Sequence, residues 1–248
     1  WCASRHWHGL FTLRPAPDRL SPASLDIDAR SSSADIDAAH LAGYLAAQSG
    51  PRNLRTAVAA SFGGPDVNRS IVFPGFVGAA TADNSASTAQ IFGELGYCVV
   101  VGQIALEPFG GLAFVHLKTD SFAEIGGSGF GSGLLSGSDH SENIGYSTLG
   151  GRAATNFNLP DDKILTLRAS AAWMHAFDAV TSTAALTFQS TGAPFTIGGV
   201  PLAWDSALIE GGLELHLNPQ TKLGLSFSSQ FGNNVQDNAV QGNLTWRF

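Results

Sequence analysis

Charge is scarce in this 248-residue chain. Asp, Glu, Lys and Arg together make up 13%, about half the share of an average soluble domain, and lysine is nearly absent. The formal net charge of -7 leaves no basic stripe to neutralise phosphates, which excludes a nucleic-acid binder. No apolar run approaches the ~18 residues that a helical membrane span needs, because Gly, Ser or a charge interrupts each one. Only two cysteines occur, Cys2 and Cys98, without CxxC or Cys/His spacing. That excludes a disulfide framework and a zinc site, and the expected state is two unpaired thiols. The opening residues, WCASRHWHGLF, lack the basic-then-apolar order of a secretory leader, so any export information lies upstream or is not used. What is abundant is apolar surface, 44% of residues, and glycine, 29 of them. A chain with so much apolar surface and so few charges does not stay solvated as a coil.

The apolar residues alternate. At the C-terminus Val240, Gly242, Leu244, Trp246 and Phe248 are interleaved with Gln241, Asn243, Thr245 and Arg247. One apolar and one polar face of a strand produce this period of two. Leu223, Leu225, Phe227 and Phe231 repeat the pattern, as do Ile209, Leu213, Leu215 and Leu217, and Leu165, Leu167, Ala169, Ala171, Trp173 and Phe177. Further strands are expected near 142–158, 103–120, 84–100, 53–73, 34–48 and 24–30, about ten in all. Helical periodicity is absent.

Connections alternate as well. Tight turns are expected at Gly50 to Asn53, Val100 to Gln103, Leu159 to Asp162 and Asn218 to Gln220. Between them come longer, looser links at Pro74 to Asp83, Gly126 to Ser141 and Asp178 to Trp204, with brief outer links near 31–33 and 233–236. An up-and-down barrel whose short turns all lie on one side of a membrane has this order, and a soluble sandwich does not require it. The fold class is therefore all-β, an antiparallel up-and-down transmembrane β-barrel. Its apolar residues face lipid and its polar residues face the lumen. Closure removes the sheet edges that lipid could not satisfy.

The runs RSIVFPGF (69–76), TAQIFGELGY (88–97), ALEPFGGLAFVHL (105–117), STLGGRAAT (147–155), WMHAF (173–177) and the terminal NLTWRF carry a further resemblance. Residues 24–248 resemble the C-terminal translocator barrel of type V autotransporters. The resemblance implies a monomeric barrel of about twelve strands in the outer membrane of a Gram-negative bacterium, surrounded by its lipid. It implies export or display of an N-terminal passenger. It also implies an assembly signal in Leu244, Trp246 and Phe248, read by the barrel assembly machinery of that membrane. Family members carry a lumen-plugging helix and two more strands ahead of the matching region. Here residues 1–23, with three prolines and no alternation, are unmatched, as if the start were truncated or out of register. About ten strands close only as a narrower barrel, unless residues 1–23 join the seam. Cys98 stands where the family commonly has a basic residue.

Candidate pore-lining residues on the polar registers are Gln90, Glu94, Glu107, Arg152, Arg168, Glu210, Glu214, Asn243 and Arg247. Carboxylates and guanidinium groups facing one wet space should pair across it, hold the wall in shape and keep the lumen hydrated. Contact of some of them with the plugging helix or the passenger is the sharper expectation. Tyr97, Phe157, Trp246 and Phe248 are expected in an aromatic girdle at the short-turn ends. His175 is expected at the outer rim on the lipid-facing register, not as a metal ligand. Ser138, Asp139, His140 and Ser141 gather the residue types of a nucleophile triad, but neighbours in a Gly/Ser-rich loop rarely converge as one. No GxSxG elbow, complete dinucleotide fingerprint or P-loop lysine is present. No enzyme activity, metal or cofactor is therefore expected of this chain. A stand-alone porin or adhesion barrel, an outer-membrane hydrolase using Asp139 and His140, and a non-functional fragment are the alternatives to a translocator.

Overall fold

A computed structural model describes residues 12–15, 23–27, 32–74, 76–126, 133–161, 163–177, 181–233 and 235–246. They form strands and connections, with no helix among the described residues. The wall is built from β1 (Thr12–Pro15), β2 (Ala23–Ile27), β3 (Ser32–Ser49), β4 (Arg52–Phe73), β5 (Phe76–Asp83), β6 (Ala86–Tyr97), β7 (Val99–Val101) and β8 (Ile104–Thr119). Short β9 (Phe122–Ala123), β10 (Ile125–Gly126) and β11 (Leu135–Gly137) follow, and then β12 (His140–Asn158) and β13 (Ile164–Phe177). The chain ends with β14 (Thr183–Phe188), β15 (Pro194–Gly198), β16 (Asp205–His216), β17 (Thr221–Gly232) and β18 (Val235–Trp246).

The main sheet runs β1-β3-β4-β6-β8-β12-β13-β16-β17-β18, antiparallel at every step, so long strands that follow one another in sequence are neighbours in space. β1 and β2 lie one after the other along β3, opposite Tyr44 to Leu41 and Ile36 to Ser32, so residues 12–15 extend the sheet. Ser32 and Ser33, expected in an outer link, instead begin β3, where they pair with β2.

The short turns gather at one end. Gly50 and Gly102 take φ of +57° and +62° there, a left-handed conformation that glycine adopts without steric cost. Asp161 takes +61°, which Asp tolerates better than most residues. Asn218 closes the β16–β17 turn by accepting hydrogen bonds at Oδ1 from the Gln220 and Thr221 amides, at 3.0 and 2.7 Å. Asn and Asp are common in turns because their side chains can replace a backbone acceptor in this way.

The opposite end corrects one expectation. Among the described residues the long links are paired, not loose. β4 continues to Phe73 and returns as β5, which also pairs with β10, while β15-β14-β11-β9 form a separate four-stranded sheet. Residues projecting beyond the wall still have backbone groups to satisfy, and pairing with one another is how they do so. Arg69 ties these pieces together. Its Nε donates to Glu124 Oε1 at 2.9 Å, and its Nη2 donates to Glu124 Oε2 at 2.5 Å and to the Gly133 carbonyl at 2.8 Å. Glu124, which is buried, also accepts from the Leu135 amide at 2.7 Å.

Burial decides between sandwich and barrel. Among the described residues the buried apolar side chains are Ala80, Ala82, Cys98, Ala176, Leu186 and Ala203, and only Leu186 is large. Leu41, Val58, Phe62, Ile91, Leu95, Leu112, Leu149 and Leu213 are all exposed. A soluble sandwich would bury such residues between its sheets. Register places them on one face: Val58 opposite Ile91, Leu95 opposite Leu54, Leu213 opposite Leu225. Their alternation with an inward polar set makes the wall a transmembrane barrel.

Replacing Arg69 by Met is expected to strand the Glu124 carboxylate, costing the outer sheet about 3–5 kcal/mol while leaving the wall intact. Hydrogen exchange checks this, with faster exchange at the β11 and β14 amides and unchanged exchange in β8 and β12.

Candidate functional site

The inward face of neighbouring strands carries a compact group of charges. Cross-strand register sets Arg55 of β4 opposite Glu94 of β6, and Arg152 of β12 opposite Glu107 of β8. Arg55 Nη1 lies 2.6 Å from Glu94 Oε1 and 2.6 Å from Glu107 Oε1. Arg152 grips Glu94 through two parallel bonds, Nη1 to Oε1 at 2.8 Å and Nη2 to Oε2 at 2.7 Å, and reaches Glu107 Oε1 at 3.2 Å. Each guanidinium therefore bridges both carboxylates. Two cations and two anions cancel, and the forked geometry suits a planar guanidinium. Asn53 Nδ2 donates to Glu107 Oε2 at 2.6 Å, and the Arg152 guanidinium carbon sits 3.9 Å from the centre of the Phe109 ring.

Glycines make the room. A Cβ at Gly96 would collide with the Glu107 carboxyl group, and one at Gly150 would lie 2.6 Å from Phe109 Cζ. The glycine abundance of the sequence thus reappears as space for the long lumenal side chains.

A cavity of about 450 Å³ lies beside this cluster and is lined by residues of β3, β4, β8, β12, β13, β16, β17 and β18, among them Tyr44, Arg55, Glu107, Arg152, Arg168, Glu210, Ser228 and Gln241. One space touched by both early and late strands of the meander means that the wall wraps around it. A second charged group lies towards the short turns. Glu214 meets Arg168 Nη2 at 3.5 Å, Lys222 Nζ at 3.5 Å and His216 Nε2 at 2.6 Å.

The expected inward residues sort as follows. Glu94, Glu107 and Arg152 come together in the first cluster, and Arg168 and Glu214 in the second. Glu210 lines the cavity and accepts from Ser170 Oγ at 3.1 Å. Gln90 stands apart from both clusters, exposed and opposite Ala59, and Asn243 packs over Gly224. Arg247 and Phe248 lie outside the described residues. Leu244 and Trp246 are exposed on the outward register of β18, and Tyr97 and Phe157 are exposed at the short-turn ends of β6 and β12. Arg55, Asn53 and Tyr44 were absent from the sequence candidates. The signal existed, since Arg55 alternates with Leu54, Thr56 and Val58.

Outside the lumen, His140 lies 3.1 Å from Glu142 Oε1, so the local carboxylate partner of this histidine is Glu142. Burial pushes the Glu142 carboxyl up, but hydrogen bonds with Ser182 and His140 outweigh it and hold the group below its ordinary value. His175 Nδ1 lies 2.9 Å from Asp205 Oδ1, on the outward register. Among the described residues no group of His, Cys, Asp and Glu is arranged to hold a metal. The expectation of two unpaired thiols is corrected at Cys98, which is disulfide-bonded; Cys2 lies outside the described residues. Sequence spacing carries no information about whether Cys98 meets a partner in space.

The family description "Autotransporter beta-domain" matches residues 20–228. The chain belongs to the autotransporter β-domain family. Over 183 residues, 74% of its length, it is 33% identical to an extracellular serine protease of Serratia marcescens, and 31% identical to a second extracellular serine protease of that organism. It spans 17% of the length of each of these relatives. The translocator domain of autotransporter NalP from Neisseria meningitidis matches in fold, with a TM-score of 0.62 over 88% of this chain and 68% of that one, at 17% identity. This chain is thus an outer-membrane autotransporter β-domain with the fold of a translocator barrel. What it shares with the serine proteases is the translocator part, which is not itself catalytic.

Arg55→Met should lower stability by about 3–5 kcal/mol, because Glu94 and Glu107, 7% and 4% exposed, would share one guanidinium. Adding Glu94→Gln to that variant should restore part of the loss. Urea unfolding in lipid vesicles measures both, and additive losses would contradict the coupling.

Proposed function

We propose that the lumenal clusters form the working surface of the translocator: they brace the wall while a passenger segment lies in, or moves through, the space they border. The observation that carries this reading is the cavity bordered by Arg55, Glu107, Arg152, Arg168 and Glu210. A lumen with both signs of charge keeps water and can exchange internal ion pairs for contacts with a polar chain. Pairs already satisfied internally do not hold a moving chain tightly. Gln90 and Asn243 are assigned to the same inward surface by their register, and Arg247 by the alternation of the sequence.

The remaining roles follow the faces of the wall. Residues 24–248 constitute the barrel domain, and 1–23 are the segment unmatched by the resemblance, of which residues 12–15 add a short strand beside β3. The outward apolar residues contact lipid as a single-chain barrel, and Leu244, Trp246 and Phe248 present the strand that the assembly machinery recognises. Catalysis belongs to the passenger, whose class is suggested by the serine-protease names of the relatives.

The test uses the complete reading frame with its passenger. Replacing Arg152 by Met together with Glu94 by Gln removes one charge of each sign and leaves Arg55 and Glu107 to pair. The barrel is expected to reach the outer membrane at its usual level, judged by heat-modifiable migration, with passenger display slowed several-fold. Unchanged display from a normally inserted barrel would overturn the assignment.

A further inference from the structure

The β14–β15 arm differs from the other outer connections in its chemistry. From Ala179 to Trp204 the chain contains no Asp, Glu, Lys, Arg or His, whereas the other two long connections carry Asp83 or Asp139 with His140. The returning half of the arm is also apolar on the outside. Ile197, Val200, Leu202 and Trp204 are all exposed, Val200 at 79%.

This apolar strap is continuous with the outward face of the wall. The Trp204 carbonyl accepts from the Ala176 amide at 2.8 Å, and Ala203 is buried, with its Cβ close to Gly232. The Trp204 ring lies 6.5 Å from the His175 ring, which in turn lies 5.6 Å from Trp173 and 5.2 Å from Phe177. Asp205 is the carboxylate at this junction, and it is engaged at Oδ1 by both Trp173 Nε1 and His175 Nδ1, each at 2.9 Å. Trp and Tyr rings with a bonded polar edge and an apolar body collect at the boundary between headgroups and acyl chains. The outward face of the wall thus continues past Trp173 and Trp204 into the strap, with the bonded Asp205 and His175 as the polar point at the junction.

We propose that the strap from Ile197 to Trp204 lies in the outer leaflet of the membrane, with its apolar side chains among the upper acyl chains. The arm then acts as a second membrane contact beside the barrel. Lipid is the occupant that an uncharged apolar surface contiguous with a lipid-facing wall fits, because transfer of such side chains out of water is favourable, the strap itself carries no ion to desolvate, and Asp205 at the junction is bonded to Trp173 and His175. The polar turn of the arm, Gln189 to Gly192, contains residues that suit the headgroup layer. The inference rests on the lipid-facing reading of the wall, and the experiment separates the two.

The full chain is refolded into phosphatidylcholine vesicles, either unlabelled or brominated on the upper acyl chain. An added tryptophan reports position: Val200→Trp or Leu202→Trp in the strap, and Leu149→Trp on the outward face of β12 as the reference. Each variant is first checked for heat-modifiable migration. The expected result is that both strap tryptophans add blue-shifted emission and lose most of it to bromine, as the β12 tryptophan does. Strap emission that is red-shifted, quenched by aqueous iodide and insensitive to bromine would overturn the proposal while the β12 signal upholds the wall. Blue-shifted strap emission that ignores bromine and reddens on dilution would identify a second copy as the occupant, and would overturn it too. Loss of bromine quenching at all three positions would instead defeat the lipid-facing wall itself.

Discussion

Backbone hydrogen bonding in lipid is the constraint on which the rest of this structure depends. Hydrocarbon offers no partner to an N–H or C=O group, so a sheet that crosses it must pair every strand and curl around itself. Curling puts one face of each strand outside and the other inside, and the period-two pattern of the sequence follows. The wall needs no dry interior, and among the described residues the buried apolar side chains are accordingly small, Leu186 excepted. The same constraint explains the outer end, where strands leaving the bilayer continue to pair as a hairpin and a small sheet.

The inner face meets a different requirement. A narrow polar lumen must accommodate long charged side chains without leaving any of them unpaired. The Arg55, Glu94, Glu107 and Arg152 arrangement does this by flanking two carboxylates on the neighbouring strands β6 and β8 with one guanidinium from β4 and one from β12, each of which reaches both carboxylates. Small residues supply the volume, as Gly96 beneath Glu107 and Gly150 beneath Phe109 illustrate. The cluster sits nearer the short turns than the outer sheet, while Arg69 and Glu124 provide a separate anchor above it. On the β16 and β17 side the small residues Gly212, Ser226 and Ser228 line the cavity, and the Glu214 group lies closer to the short turns.

Much of this was legible in the residues. Strict alternation in Leu165 to Phe177 and Leu223 to Phe231 gave both the strand type and the outward face, because the side-chain period of a strand is fixed by geometry. The turns at Gly50 and Asn218 were legible because left-handed φ and side-chain capping have compositional signatures. The outer sheet was not. The stretches that build it read as loose, Gly- and Ser-rich links, and β9, β10 and β11 are too short to show a period. Arg55 was overlooked although its register is unambiguous, and its importance lies in partners 39 and 52 residues away. The state of Cys98 was likewise a matter of approach in space, not of spacing. The autotransporter resemblance, by contrast, held over most of the chain because several motifs agreed in order as well as in kind.

The central claim is that this wall is apolar towards lipid and wet within. Hydroxyl-radical footprinting of the unmodified protein in lipid vesicles, read residue by residue by mass spectrometry, tests it most directly. The account predicts oxidation at the inward Tyr44 and His216 and protection of the outward Leu95, Leu112, Leu149 and Leu213. Equal protection of the two sets, or oxidation confined to the outward leucines, would contradict it.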